Sequence, residues 1–533
     1  MVVQLGRAGK YGLGAFFAAL IGLALFFLRP AANLPPVQAA MPTATAFVPQ
    51  QSILTATLLI SPDDLPPALQ SSAPWQSFQS ALRQETGLDY AQDIRPWLGH
   101  ELLVAVTPGI AAEPNGYLVV LAVTDSDRAR ECLELFWQRQ TLTGTALALE
   151  TVSGARMIRP QRSERQWSTA LVGNRYLLFA NRPTVLRQGL QALQSPGLNL
   201  AHQSAYQTAL TALPAERIGL VHLNIPAAVA ALGLGSPKAD SPPQFSDGTI
   251  SIDLDRQGIV LHTALLADPR QPLPAASPTP PTSSVSAYLP ASVAIAAIGH
   301  NLTALWQQLM AEGSHYRDLP QPLQRLGQAL ATPEGKTGNR ALQTLLTGDY
   351  AIGWAPTGDW ILAAEQSPRS TTTLATLDQL AARQALNVTP LTVQQQPVIA
   401  WTQLKTQTAL TDHQRETSVE TQVRALHTHQ DIYDVGATAI GALAEALDPQ
   451  VQTLVSRADY QQALRGFDQP NDGYLYLNWQ ILRTASPLRI PLFDLLKTTA
   501  QPLLDRLQSL TLSSYGRQPE YTKADIRIRF TSY

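Results

Sequence analysis

The chain has 533 residues, 45% of them hydrophobic and 15% charged, with a formal net charge of -2. That length exceeds one ordinary core and favours two domains; the composition excludes wholesale disorder, and the charge balance leaves no basic footprint of the kind a nucleic-acid groove needs. The single cysteine, Cys132, cannot form an internal disulfide.

In chain order, the first element is "YGLGAFFAALIGLALFFL", Tyr11 to Leu28, an uncharged apolar run preceded by Arg7 and Lys10. Its length is close to that of a bilayer core, and the preceding basic residues favour a cytoplasmic N-terminus. Residues 1–29 are therefore read as a cytoplasmic stub and uncleaved transmembrane anchor. A cleaved signal, using Val37-Gln38-Ala39, is the other reading. Residues 30–50 form a Pro/Ala-rich spacer. Residues 51–266 follow as a first α+β repeat, and "ADPRQPLPAASPTPPTSS" at 267–284 as a linker, because so many prolines continue neither a helix nor a central strand. Residues 285–533 make a second α+β repeat.

Inside the first repeat, "ELLVAVT" at 101–107 and "YLVVLAV" at 117–123 read as paired strands. Ala129, Cys132, Leu133, Phe136 and Trp137 then fall on one helical stripe. Ser204 with Gln207 has the spacing of a capping box. Near the C-terminus, Ile526, Ile528 and Phe530 alternate with Arg527 and Arg529, which predicts a strand with one buried and one wet face. The fold class expected is α+β: two tandem related domains with antiparallel sheets and helices packed on one face, preceded by one transmembrane helix.

An internal echo points to tandem repeats. "AHQSAYQTAL" at 201–210 and "VSRADYQQAL" at 455–464 superpose at an offset of 254 residues, with identities at Tyr206/Tyr460, Gln207/Gln461, Ala209/Ala463 and Leu210/Leu464. At the same offset Gly219 meets Gly473 and Asn224 meets Asn478. Duplication of one unit explains the match.

The residues give little sign of chemistry, and no catalytic, cofactor-binding or metal site is assigned. Gly335-Lys336-Thr337 hints at a phosphate loop, but Leu330 stands where that motif needs glycine. His427 and His429 share one side of a strand, a weak zinc pattern with only Asp431 nearby. Cys132 on its apolar stripe reads as a buried, inert thiol. Asp125, Asp127, Asp63 and Asp64 sit where acidic residues complement helix starts.

The phrases "ETGLDYAQDIRPWLGHELLVAVT", "VTDSDRARECLELFWQRQ" and "STALVGNRYLLFANRPTVLR" resemble a cyanobacterial family, domain of unknown function 3352, over most of the chain beyond the spacer. The resemblance implies a cyanobacterial host, a membrane segment and an extracytoplasmic body in the thylakoid lumen or periplasm; it transfers no catalytic residue. The expected function is that of a membrane-tethered, non-enzymatic binding or scaffold protein assisting assembly or maintenance of a membrane protein complex, with an unidentified protein partner. A carrier or chaperone for a lipid, pigment or other apolar ligand, and an unrecognised enzyme, are the alternatives.

Overall fold

Residues 102–106 and 118–121 alternate between two destinations. Leu103, Ala105, Leu118 and Val120 enter one apolar cluster, and Val104, Val106 and Leu121 enter another. A strand apolar on both faces needs cover on both, and helices supply it. The helix Ser126–Leu142 places Ala129, Cys132, Leu133, Phe136 and Trp137 in the second cluster, as its periodicity predicts, with Phe136 edge-on to Phe179 at 5.8 Å. The helix Pro183–Gln194 buries Val185, Leu186 and Leu190 in the first. The expectation of helices on one face therefore fails. These runs are continuous rather than alternating, and continuous runs mark strands sandwiched between two layers.

The structure, a computed structural model, describes residues 42–531 apart from 65–72, 110–113, 143, 162–166, 232–235, 239, 256–257, 318–332, 412–413 and 484–504. The expected anchor at 11–28 and most of the spacer lie outside the described residues, and no helix among the described residues is long and apolar enough to cross a membrane.

The strands up to residue 267 are β1 (Leu54–Leu58), β2 (Leu98–Thr107), β3 (Gly116–Val123), β4 (Leu147–Val152), β5 (Ala155–Pro160), β6 (Ser168–Val172), β7 (Tyr176–Ala180), β8 (Gly219–Asn224), β9 (Ser236–Pro237), β10 (Phe245–Asp255) and β11 (Gly258–Ala267). Beyond it come β12 (Ile295–His300), β13 (Tyr316–Arg317), β14 (Asp349–Trp354), β15 (Trp360–Glu365), β16 (Asn387–Val393), β17 (Gln396–Thr411), β18 (Gln414–Gln430), β19 (Tyr433–Ala437), β20 (Gly473–Asn478), β21 (Leu507–Arg517) and β22 (Tyr521–Phe530). Apart from the short ribbon β9–β13, all pair antiparallel in one ladder. From one end it runs β4-β5-β6-β7-β3-β2-β1-β8-β10-β11. It continues without a break as β22-β21-β20-β12-β14-β15-β19-β18-β17-β16. β4 and β16 do not pair with each other, so the ladder has two ends among the described residues.

Read outward from the β11–β22 seam, the two halves have the same strand order, each strand replaced by its later counterpart. At the centre of the seam His262 lies opposite Asp525. The Pro-rich tract expected to separate two domains does not interrupt the sheet: Leu273 N–H donates to Pro519 O and Ala276 bridges Arg517. One apolar cluster also spans the seam, bringing Ile53, Leu58 and Ile259 together with Trp354, Ile528 and Phe530.

Local detail repeats as well. Tyr206, 1% exposed, meets the His222 ring edge-on at 5.1 Å, while Tyr460, 3% exposed, meets Tyr476 edge-on at 5.0 Å. Gln207 Nε2 donates to Ala201 O at 3.1 Å, and Gln461 Nε2 to Val455 O at 2.9 Å. That contact replaces the expected capping box: the helix Ser204–Ala212 begins after Gln203 with no side-chain cap. Asn224 Oδ1 accepts from Ala227 N–H and Asn478 Oδ1 from Ile481 N–H, both at 2.9 Å, so each β8-type strand turns into a short helix through one asparagine.

Candidate functional site

Alternation along β11 sets Val260, His262, Ala264 and Leu266 on one face of the sheet, with Arg527, Asp525, Lys523 and Tyr521 of β22 opposite them. At the midpoint His262 Nδ1 and Asp525 Oδ1 are 2.7 Å apart, and the Tyr515 hydroxyl donates to Asp525 Oδ2 at 2.7 Å. Burial, reinforced by that carboxylate, pushes the Tyr515 phenol far above its usual range. The neighbouring strands continue a polar band with Thr249, Ser251, Thr511 and Ser513, all 1% exposed or less. Across this band the chain has placed hydroxyl, imidazole and carboxylate groups where a sandwiched sheet ordinarily carries aliphatic ones.

Arg527 and Arg529 continue the band towards the end of β22. The alternation predicted from the sequence holds for the apolar side, since Ile528 and Phe530 are buried. The arginine side is not wet: Arg529 is 6% exposed. Its Nη2 donates to Arg465 O at 3.3 Å, while Nε and Nη1 have no acceptor. Arg527 Nη1 meets Asp255 Oδ2 at 3.1 Å, Nη2 donates to Gly466 O, and the guanidinium lies 5.2 Å from the centre of the Phe467 ring. The chain following the helix Ala458–Leu464 covers these side chains, a tertiary contact that two-residue alternation does not encode.

The other candidate residues are dispersed. His427 Nε2 lies 2.9 Å from Asp378 Oδ1, and His429 Nδ1 lies 2.5 Å from Asp434 Oδ1, so the two histidines engage separate carboxylates. No group of three metal-ligating side chains occurs among the described residues. Gly335-Lys336-Thr337 falls within the helix Pro333–Leu345 rather than in a loop before one, which removes the phosphate-loop geometry. Cys132 is 3% exposed, and burial raises its thiol to about 11. Asp125 Oδ1 accepts the N–H groups of Asp127 and Arg128, both at 3.1 Å, as its place before a helix predicts. Asp63 and Asp64 lie in the short 3-10 turn Pro62–Asp64, and Asp63 Oδ2 accepts from Arg95 Nε at 2.8 Å. An open cleft of about 360 Å³ in the second half is bordered by Arg340, Arg369 and Thr303.

A second feature breaks the correspondence between halves. β5 and β6 are short, but their counterparts β17 and β18 run 16 and 17 residues. β17 is flanked by β16 only through residue 402, and β18 by β19 only from residue 426. Residues 403–411 pair only with 414–422 across the hairpin. That leaves a two-stranded ribbon projecting about 30 Å at 3.3 Å per residue. Leu404, 61% exposed, and Val419, 62% exposed, share one face of it, with Lys405 and Glu420 paired on the other.

Comparison with known proteins adds a family. The model of the family described as "Protein of unknown function (DUF3352)" matches residues 12–530. The chain belongs to that family. No curated protein matches. Among solved structures, crystal forms I, III and IV of TP0453 are similar at 9%, 8% and 7% identity, with TM-scores of 0.26, 0.25 and 0.24. Each covers 45% of this chain and between 81% and 83% of the other.

Proposed function

We propose that this family member is a membrane-tethered, extracytoplasmic, non-enzymatic binding and scaffold protein, built from two copies of one module and docking onto another protein through the β17–β18 ribbon. The observation that carries the reading is the ribbon itself. The first half closes the same part of the sheet with a far shorter hairpin, so the fold does not require the extension. An isolated two-stranded hairpin is marginal in water, and an exposed leucine and valine side by side on one face give a partner an apolar surface to cover. The uncharged run at 11–28 supports the tether, and the family resemblance supports an extracytoplasmic body.

The test is site-specific photo-crosslinking in the native membrane. A photoreactive residue at position 404 or 419 is expected to capture one discrete protein, whereas the same residue at exposed Leu149 of the short-hairpin half is not. A variant trimmed to join residue 403 to residue 422 through a two-residue turn should keep its melting temperature and lose association with that protein. Equal capture at 149 and 404, or undiminished association after trimming, refutes the reading.

A further inference from the structure

The docking reading makes no use of the buried arginines, and we propose that Arg527 and Arg529 form an oxyanion site that takes a phosphate group. A guanidinium keeps its charge at any physiological pH and carries five N–H donors. Arg529 is 6% exposed, and two of its three nitrogens have no acceptor; Nε of Arg527 has none either. Burying an uncompensated cation costs far more than burying a neutral polar group, so such a site is completed by an anion. The charges acting on Arg529 are those of Asp255, Arg527 and Arg465, which sets three guanidinium groups against one carboxylate. That carboxylate is already engaged by Arg527 at 3.1 Å. Thr511 lies directly opposite Arg527 on β21, is 1% exposed, and its hydroxyl also lacks a partner.

The fold does not demand these residues. The matching positions in the other half of the seam are Ala264 and Leu266, which pack against Ala209 and Leu213 beneath the matching helix. The same place is therefore filled by hydrocarbon in one half and, in the other, by two guanidinium groups with three N–H-bearing nitrogens that lack an acceptor. Planar guanidinium forks and a hydroxyl donor suit the several oxygens of a phosphate group. Entry is from the exposed Arg465–Gly466 side. Inorganic phosphate and an anionic lipid headgroup share this chemistry.

Isothermal titration of the full chain distinguishes them, using inorganic phosphate and, separately, a short-chain phosphatidylglycerol below its micelle concentration. One of the two is expected to bind with a stoichiometry near one. Arg529→Leu, which copies Leu266, should weaken that binding at least tenfold without lowering the melting temperature in chloride. Binding of phosphate alone identifies the free ion as the source, and binding of the lipid alone identifies the headgroup. Arg529→Lys, which keeps the charge but loses the fork, and Thr511→Val give the same answer should the leucine variant fail to fold: each should weaken binding. The proposal is overturned if neither probe binds, or if these variants bind as the parent does.

Discussion

Ile259 and Ile528 face each other across the β11–β22 seam, 1% and 9% exposed, inside the apolar cluster that both halves share. Ile259→Ala removes three carbon atoms from that contact. At about 0.8 kcal/mol per buried methylene the transfer loss is about 2.4 kcal/mol, and the residual cavity brings the total to about 3–4 kcal/mol. Ile528→Ala should cost slightly less. Since the two residues are cross-strand partners in one apolar cluster, the double variant should depart from additivity by 0.5 kcal/mol or more, a coupling that neighbouring residues show and distant ones do not. The assay is denaturant unfolding followed by tryptophan fluorescence in two backgrounds, one retaining only the tryptophans before residue 267 and the other only those after it. In a sheet continuous through the seam both probes should report one transition and shift together. If Ile259→Ala moves only the first-half transition, or if the single-variant costs simply add, the seam does not couple the halves and the reasoning fails.

Three other outcomes follow from particular residues. Gly473 has φ +107°, and a Cβ there would lie 2.0 Å from Ile298 O, whereas a Cβ on its counterpart Gly219 would lie 3.3 Å from Thr57 O. Gly473→Ala should therefore cost at least about 3 kcal/mol in denaturant melts against roughly 1 kcal/mol for Gly219→Ala. Glu150 accepts two hydrogen bonds from Arg187 at 2.8 and 2.9 Å and one from Arg159 at 3.1 Å, and these hold its carboxyl at about 2 rather than 4.5. A folded-state pKa below the unfolded one gives stability that is present above about 4.5 and lost as pH falls towards about 2. After solvent screening, Glu150→Gln should cost about 1 kcal/mol at neutral pH, and the difference should vanish towards pH 2 in pH-resolved melts. Cys132 should resist a thiol-specific alkylating reagent in the native protein and react in denaturant; native labelling at the rate of a free thiol would place it outside the core.

The residues that made the repeat legible are those both halves keep buried for the same purpose. Tyr206 and Tyr460 anchor equivalent helices, and Asn224 and Asn478 make the same turn, so selection on packing preserved a constant offset. Upstream of them the offset is lost, because β17 and β18 are longer than β5 and β6 and no fixed shift can align a short hairpin with a long one. The helix stripe through Cys132 was readable because its period is local. The placement of helices on both faces was readable only in part: the unbroken apolar runs of β2 and β3 carried the signal, and the alternation of β22 argued against it. The arginine site was missed for the same reason, since the alternation of Arg527 and Arg529 is also what a solvent-facing strand would show.

Periodicity, punctuation by proline and glycine, and the internal echo were enough to determine an α+β chain with repeated elements, because each depends on residues a few positions apart or on inherited copies. That the copies join into one ladder, that His262 faces Asp525 across 263 positions, and that Arg529 lies under the chain after residue 464 were decided by tertiary structure alone. Backbone edges pair through groups common to every residue, so a strand's own sequence does not name its distant neighbour. The surroundings of a charged side chain are fixed only when that neighbour and its covering loop arrive.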